Sequence, residues 1–294
     1  MTKAALHPWN REFAWADHRA LAGLLTQAQV DQFDHDGFVV LPQLLDSDER
    51  SRTVAEIDWL EAEAEAHLRS LPNQRFSIAE AGAITFTTHV VTRSPWLRQL
   101  SAHARILAIC SDLVGPDVRL YWDQAVYKKP EKPRRFPWHQ DNGYNFVEPQ
   151  AYLTVWVALT DATLRNGCPQ VARGLHRRGT LRHYFVDPLG FECFSEHDDP
   201  AVAEVPAGGA VVFSSLTPHL TGPNTTGEVR KAYILQYAPV GAAMLRGNPD
   251  KGDPLERLVC AEPTRQYQVL EGGRPVDPPP LAPEAAGPSV IRHG

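Results

Sequence analysis

Residues 118–127, 153–159, 210–214 and 232–237 are short runs of β-branched and aromatic side chains, set apart by stretches rich in Gly, Pro and Asn. Runs of this length bounded by turn residues pair as strands, and several in succession favour a β-sandwich or barrel over a helical bundle. They place a β-core at about residues 116–240.

The chain before the core has a different texture. Thr26 and Gln29 have the form of a capping box, so a helix starts after Thr26 and stops at Gly37. Residues 38–41 then read as a short buried strand. From Asp46 or Ser47, Val54, Ile57, Leu60, Ala64, Leu68 and Leu71 recur every three or four positions until Pro72, which predicts a long helix. Its opposite face, with Glu56, Glu61, Glu63 and Glu65, is expected to meet solvent. Residues 84–91 read as a strand, Ser94-Pro95 as the cap and first residue of a helix, and residues 102–113 as another helix. The whole 294-residue chain reads as one domain, with a helical layer at about 20–115 packed on the β-core. The tail after Gly272, with Pro275, Pro278, Pro279, Pro280, Pro283 and Pro288, reads as an irregular or disordered end.

Several function classes recede on composition. A net charge of −6 gives no general attraction to nucleic acid, so anion recognition must be local. No apolar run reaches the roughly 18 residues of a membrane span, and the first residues lack the apolar core of a secretory signal; a cytoplasmic location is the default. Cys110, Cys168, Cys193 and Cys260 stand singly, as reduced thiols do.

The chemistry concentrates in residues 136–146, Phe-Pro-Trp-His-Gln-Asp-Asn-Gly-Tyr-Asn-Phe. In an extended segment His139 and Asp141 project to one side and reach one ion with an imidazole nitrogen and a carboxylate oxygen. The strand at 153–159 stands ready to pair with them. His219 follows an apolar run and supplies the third candidate ligand. Two imidazoles and one carboxylate, with other positions open, make the facial triad of non-haem Fe(II) oxygenases. Arg230 follows eleven residues later across a turn-rich stretch, so a return strand can bring its guanidinium beside the metal, where a fork suits a carboxylate. A second His-x-Asp, at His197, lies in a polar stretch without strand pattern and reads as a surface loop.

Taken in order, His139-Gln-Asp141, residues 153–159 (Leu-Thr-Val-Trp-Val-Ala-Leu), Asn166-Gly-Cys168, Gly174-Leu-His176, His219 and Arg230 resemble the phytanoyl-CoA dioxygenase family of Fe(II)- and 2-oxoglutarate-dependent oxygenases, as does the opening segment at 33–41. The resemblance implies a mainly β fold, a double-stranded β-helix or jelly roll, with His139, Asp141 and His219 as iron ligands. It implies Fe(II), 2-oxoglutarate and O2 as reactants, with Arg230 holding the distal carboxylate of 2-oxoglutarate. Gln124, Lys128, Trp156 and Thr221 occupy places that help bind this cosubstrate, although a one-residue slip would exchange Lys128 for Lys129. The chain departs from the family's usual Pro-Gly-Ser-His at Ala172-Arg-Gly-Leu-His176.

The implied reaction is hydroxylation of a small molecule, with succinate and CO2 as coproducts. The same iron site also serves desaturation, epimerisation or cyclisation, and a cupin-like metal protein indifferent to 2-oxoglutarate is a further alternative. The family includes acyl-CoA hydroxylases, amino-acid and ectoine hydroxylases and natural-product tailoring enzymes; the absence of a long basic stripe disfavours CoA. Trp138, Asn142, Tyr144 and Phe146, beside the triad, are candidate substrate contacts. Arg173 opens a basic run through His183 that reads either as a solvated loop or as a contact for a substrate anion.

Overall fold

Helix α1 (Gln27–Asp36) is closed at both ends by its own sequence. The Thr26 side chain and Gln29 cap each other's backbone N–H groups, and Gly37 leaves the helix at φ 86°. The computed structural model that shows this describes residues 4–20, 23–130, 136–187 and 189–281. Strand β1 (Phe38–Leu41) follows at once. Helix α2 (Ser47–Ser70) is capped by Asp46 and Glu49, and α3 (Pro95–Leu100) and α4 (Ala104–Leu113) complete the helical layer.

The layer is interrupted by strands. The run from residue 84 forms β2 (Ile84–Thr88), which stops three residues earlier than its composition predicts because His89 turns the chain at φ 56°. The core strands are β3 (Val118–Lys128), β4 (Leu153–Ala158), β5 (Pro169–Val171), β6 (Ala210–Ser214), β7 (His219–Thr221) and β8 (Arg230–Pro239). An antiparallel major sheet runs β1, β6, β4, β8, β3, β2, and a minor sheet pairs β5 with β7, giving a jelly-roll-like core. Strand structure continues past residue 240 in β9 (Ala243–Arg246), β10 (Glu256–Val259) and β11 (Gln268–Glu271), the last joining the edge of β3. The expected irregular tail is therefore ordered at its start: Arg274–Pro275 pairs with β11, and the Pro279 carbonyl accepts a hydrogen bond from Arg98. Pro283 and Pro288 lie outside the described residues.

Strand alternation sorts the major sheet into two faces. Val155, Val157, Tyr233, Leu235, Tyr237, Ala125 and Tyr127 join the core shared with the helices. Trp156, Ala158, Ala232, Ile234 and Val126 point the other way, toward the minor sheet. Burying one Leu or Val on the helical face contributes about 1.5–3 kcal/mol.

The acidic face of α2 is not simply solvated. Glu61 and Glu65 are each 9% exposed and share the Lys129 ammonium at 3.1 and 2.9 Å, while Glu61 also accepts from the Thr85 hydroxyl. The sheet's own residues satisfy these carboxylates.

Candidate iron centre and its cavity

His139 and His219 face each other across an isolated antiparallel bridge, exchanging backbone hydrogen bonds of 3.0 and 2.8 Å. Their ring centroids stand 4.3 Å apart. The partner of His139 is thus β7 of the minor sheet, not the 153–159 strand. The extended stretch is also shorter than expected: Gln140 is extended, but Asp141 begins a single 3-10 turn, residues Asp141–Gly143. One extended step suffices to send both side chains the same way.

Each imidazole has its tautomer set by a carbonyl. His139 Nδ1 lies 3.1 Å from Pro137 O and His219 Nδ1 2.9 Å from Thr217 O. A hydrogen on Nδ1 leaves the Nε2 lone pair as the ligand atom. Burial pushes the His139 imidazole well below its ordinary range, and His219 adds to this, so the neutral form that ligates a metal prevails despite the Pro137 bond. The Thr154 hydroxyl donates to Asp141 Oδ2 at 2.5 Å, and Asp141 Oδ1 lies 3.9 Å from His219 Nε2. One ligand atom from each residue of the triad falls within 4.8 Å of the others. Two imidazoles and an oriented carboxylate, with the remaining side open to a cavity, fit a non-haem Fe(II) ion better than a closed structural site, which would supply a fourth protein ligand.

The cavity has a volume of about 820 Å³ and lies between the inner face of the major sheet and the minor sheet. Gln124, Trp156, Thr221 and Arg230 all line it. Arg230 opens β8 at 1% exposure, its guanidinium carbon 5.1 Å from the Trp156 ring centroid. Lys128 stands opposite Arg230 in register, on the inner face. Its ammonium binds Thr221 O at 3.1 Å and Gly222 O at 2.5 Å and sits over the Phe136 ring, so it ties β7 to the major sheet. Lys129 faces the helices, which resolves the register question.

The predicted substrate residues divide. Tyr144 lines the cavity, and burial together with Asp141 raises its phenol pKa, keeping it protonated. Trp138 packs on Phe194 and Leu181 in a separate cluster. Asn142 is a buried brace, donating to Thr180 Oγ1 and accepting from Val147 N–H. Phe146 packs tilted against His7 and edge-on against Trp9. Arg173 is half exposed beside Asp36. Strand alternation turns Trp138 away from its neighbour His139, and the turn at Asp141–Gly143 sets the directions of Asn142, Tyr144 and Phe146. The rest of the basic run is structural too, with Arg177 on Asp17, Arg182 on Asp250 and His176 buried against Asp34 O.

Sequence reasoning missed Thr154 and Gln236, although Thr154 stands in step with Trp156, which it had singled out; Gln236 stands in step with Ile234 on the same inner face. It also missed Tyr121, Trp122, Arg246 and Arg265, which line the cavity without any local motif.

Fold and site together define a non-haem iron enzyme of the 2-oxoglutarate-dependent oxygenase type. The chain belongs to the phytanoyl-CoA dioxygenase (PhyH) family, whose model matches residues 33–232. Among curated relatives, a methylphosphonate hydroxylase of Gimesia maris is 27% identical over 226 residues, covering 76% of this chain and 84% of that protein. Among solved structures, the α-ketoglutarate-dependent carbocyclase SnoK of nogalamycin biosynthesis superposes with a TM-score of 0.63 at 24% identity, covering 79% of this chain and 94% of that one. EvdO2 from Micromonospora carbonacea, solved with 2-oxoglutarate, gives 0.58 at 25% identity, with 80% and 97% covered. Among the described residues no helix is long and apolar enough to cross a membrane.

Proposed function

We propose that the protein hydroxylates an unactivated C–H bond of a small metabolite or natural-product intermediate, consuming 2-oxoglutarate and O2 and releasing succinate and CO2. The observation that carries this reading is the placement of a buried Arg230 on the wall of the same cavity onto which the open side of the triad faces. His139, Asp141 and His219 hold Fe(II). Bound there with 2-oxoglutarate and O2, the iron supplies oxidative decarboxylation coupled to oxidation of the substrate.

The protein's own residues set the geometry. Arg230 receives the distal carboxylate of 2-oxoglutarate with its fork, and burial strengthens that pairing. Trp156 fixes the guanidinium plane from one side, and Thr221 and Gln124 offer side-chain hydrogen bonds along the chain of the diacid. Lys128, through the carbonyls of Thr221 and Gly222, holds the β7 end against the major sheet. Thr154 keeps Asp141 turned so that Oδ1 is the ligating oxygen.

Anaerobic titration of the metal-free protein with Fe(II) and 2-oxoglutarate tests the reading. The visible absorption of a chelated keto acid is expected in wild type and only at much higher 2-oxoglutarate in Arg230→Ala. Bound iron without that absorption would overturn the cosubstrate assignment. Product mass then separates the outcomes: hydroxylation adds one oxygen, desaturation and cyclisation remove two hydrogens, and epimerisation leaves the mass unchanged.

A further inference from the structure

The cavity carries charge that the proposed chemistry leaves unused. Among the described residues its lining holds four guanidiniums, Arg75, Arg230, Arg246 and Arg265, against two carboxylates, Asp141 and Glu262, in a chain whose net charge is −6. Arg230 pairs in register with Lys128, whereas Gln236, six residues along β8, pairs with Trp122. That is about 20 Å of strand, so the two ends of the cavity wall lie well apart. Thr154, which holds Asp141, stands opposite Gln236. Arg265 belongs to this second end, since its hydrogen-bonded neighbour His89 packs against Trp122 with ring centroids 4.2 Å apart.

We propose that Arg265 is the anchor for an oxyanion on the substrate, a carboxylate or a phosphonate, and that His89 is its positioning residue; this rests on the reading in which Arg230 takes 2-oxoglutarate. Arg265 is held on two sides. Its Nε lies 3.1 Å from Glu262 Oε2, and its Nη1 donates to His89 Nε2 at 2.9 Å. Among the described residues Nη2 has no hydrogen bond, which leaves one edge of the fork for a ligand.

The other side of His89 explains how the fork is aimed. A guanidinium only donates, so His89 accepts at Nε2 and carries its hydrogen on Nδ1. Nδ1 lies 3.8 Å from Asp123 Oδ1, beyond a direct hydrogen bond; both atoms are buried and neither has a hydrogen-bond partner among the described residues. Asp123 is itself 0% exposed and fixed by Val91 N–H and the Tyr233 hydroxyl at its other oxygen. His89 reaches this place with φ 56°, a left-handed conformation that a non-glycine residue keeps only where its surroundings over-determine it. Asp123, His89 and Arg265 thus form a line from the buried sheet to the cavity wall. Tyr121, Trp122 and Tyr152 beside it supply an aromatic wall for the apolar part of the same molecule.

Calorimetric titration of the metal-free full-length protein with benzoate, phenylphosphonate and benzyl alcohol tests this. Wild type is expected to bind at least one anion about tenfold or more tightly than the neutral alcohol, as charged hydrogen bonds require, and the tighter anion assigns the oxyanion class. Arg265→Gln should erase that preference, Arg265→Lys should keep part of it, and Arg230→Gln should leave it in place. His89→Asn, which tolerates the left-handed backbone, should weaken the anion several-fold and leave the alcohol unchanged, a difference that general loosening would not produce. Thermal melts establish that each variant is folded, and the lysine variant serves if the glutamine variant is not. No anion preference in wild type, an undiminished preference in folded Arg265→Gln, or its loss in Arg230→Gln instead would overturn the proposal. The heat of binding needs neither iron nor 2-oxoglutarate, so failure here and failure of the cosubstrate reading are separate results.

Discussion

The two faces of the major sheet are made by alternate residues of the same strands and do opposite work. On β8, Tyr233, Leu235 and Tyr237 are fully buried against the helical layer, while Arg230, Ile234 and Gln236 line the cavity. The helical face is closed and nearly all apolar, so its value is stability. The cavity face places polar and charged groups where close packing would otherwise continue, so it gives up burial to create a site. One strand thereby separates folding from chemistry at a spacing of a single residue.

The largest expected effect breaks the comparison on the cavity side alone. Asp141→Ala or His219→Ala should abolish 2-oxoglutarate turnover while leaving the melting temperature of the metal-free protein nearly unchanged; a folded variant that still makes succinate at the wild-type rate would remove the triad. The mirror experiment is Leu235→Ala, which should lower unfolding free energy by about 2–5 kcal/mol in denaturant titration. Whatever remains folded should bind Fe(II) as wild type does. Thr154→Val sits between these extremes, because it removes a hydrogen bond to a ligand rather than a ligand. Fe(II) affinity should fall by about 10–100-fold with little change in stability.

The smallest effect lies at the pair Lys128 and Lys129, adjacent residues on opposite faces. Lys129→Met should cost about 1 kcal/mol of stability, because Thr85, Gly82 and Arg69 still serve the two buried carboxylates, and leave the cavity untouched. Burial raises the carboxyl pKa of Glu65, but hydrogen bonds from Lys129 and Gly82 N–H outweigh it and hold the group below its ordinary 4.5. A depressed carboxyl contributes stability that is complete above pH 4.5 and lost as pH falls through the lower folded-state value. Acid unfolding should therefore show a steeper fall below pH 4.5 in wild type than in Lys129→Met. Equal slopes would mean that this cluster is not coupled to folding.

What could be read ahead of the structure was local. Thr26, Gln29 and Gly37 bracket α1 because caps act within four residues, and the four long core strands announce themselves by composition and turns. His139, Asp141, His219 and Arg230 were legible through their order along the chain. Phe146 misled because nearness in sequence to a metal ligand says nothing about direction once a 3-10 turn intervenes, and Trp138 because strand alternation turns it away from its neighbour His139. Glu61 and Glu65 misled for a related reason: an amphipathic pattern marks a polar face, but only the fold shows that Lys129 covers it. Arg265 had no signal at all, since its partners His89 and Glu262 come from segments 173 residues apart in the numbering (262 − 89).

The mutual bridge between His139 and His219 has a consequence for how the enzyme is charged with metal. Each ligand's main chain is clamped by the other's, and each ring is clamped by its own carbonyl, so the two imidazoles are aligned by the fold before any ion arrives. Loading then resembles filling a finished socket rather than nucleating a structure, and little ordering entropy is spent at that moment. Chelation should empty the protein without unfolding it, and added Fe(II) should restore it without a refolding step. The active fraction would follow the supply of ferrous iron, making a drained population a reserve rather than waste.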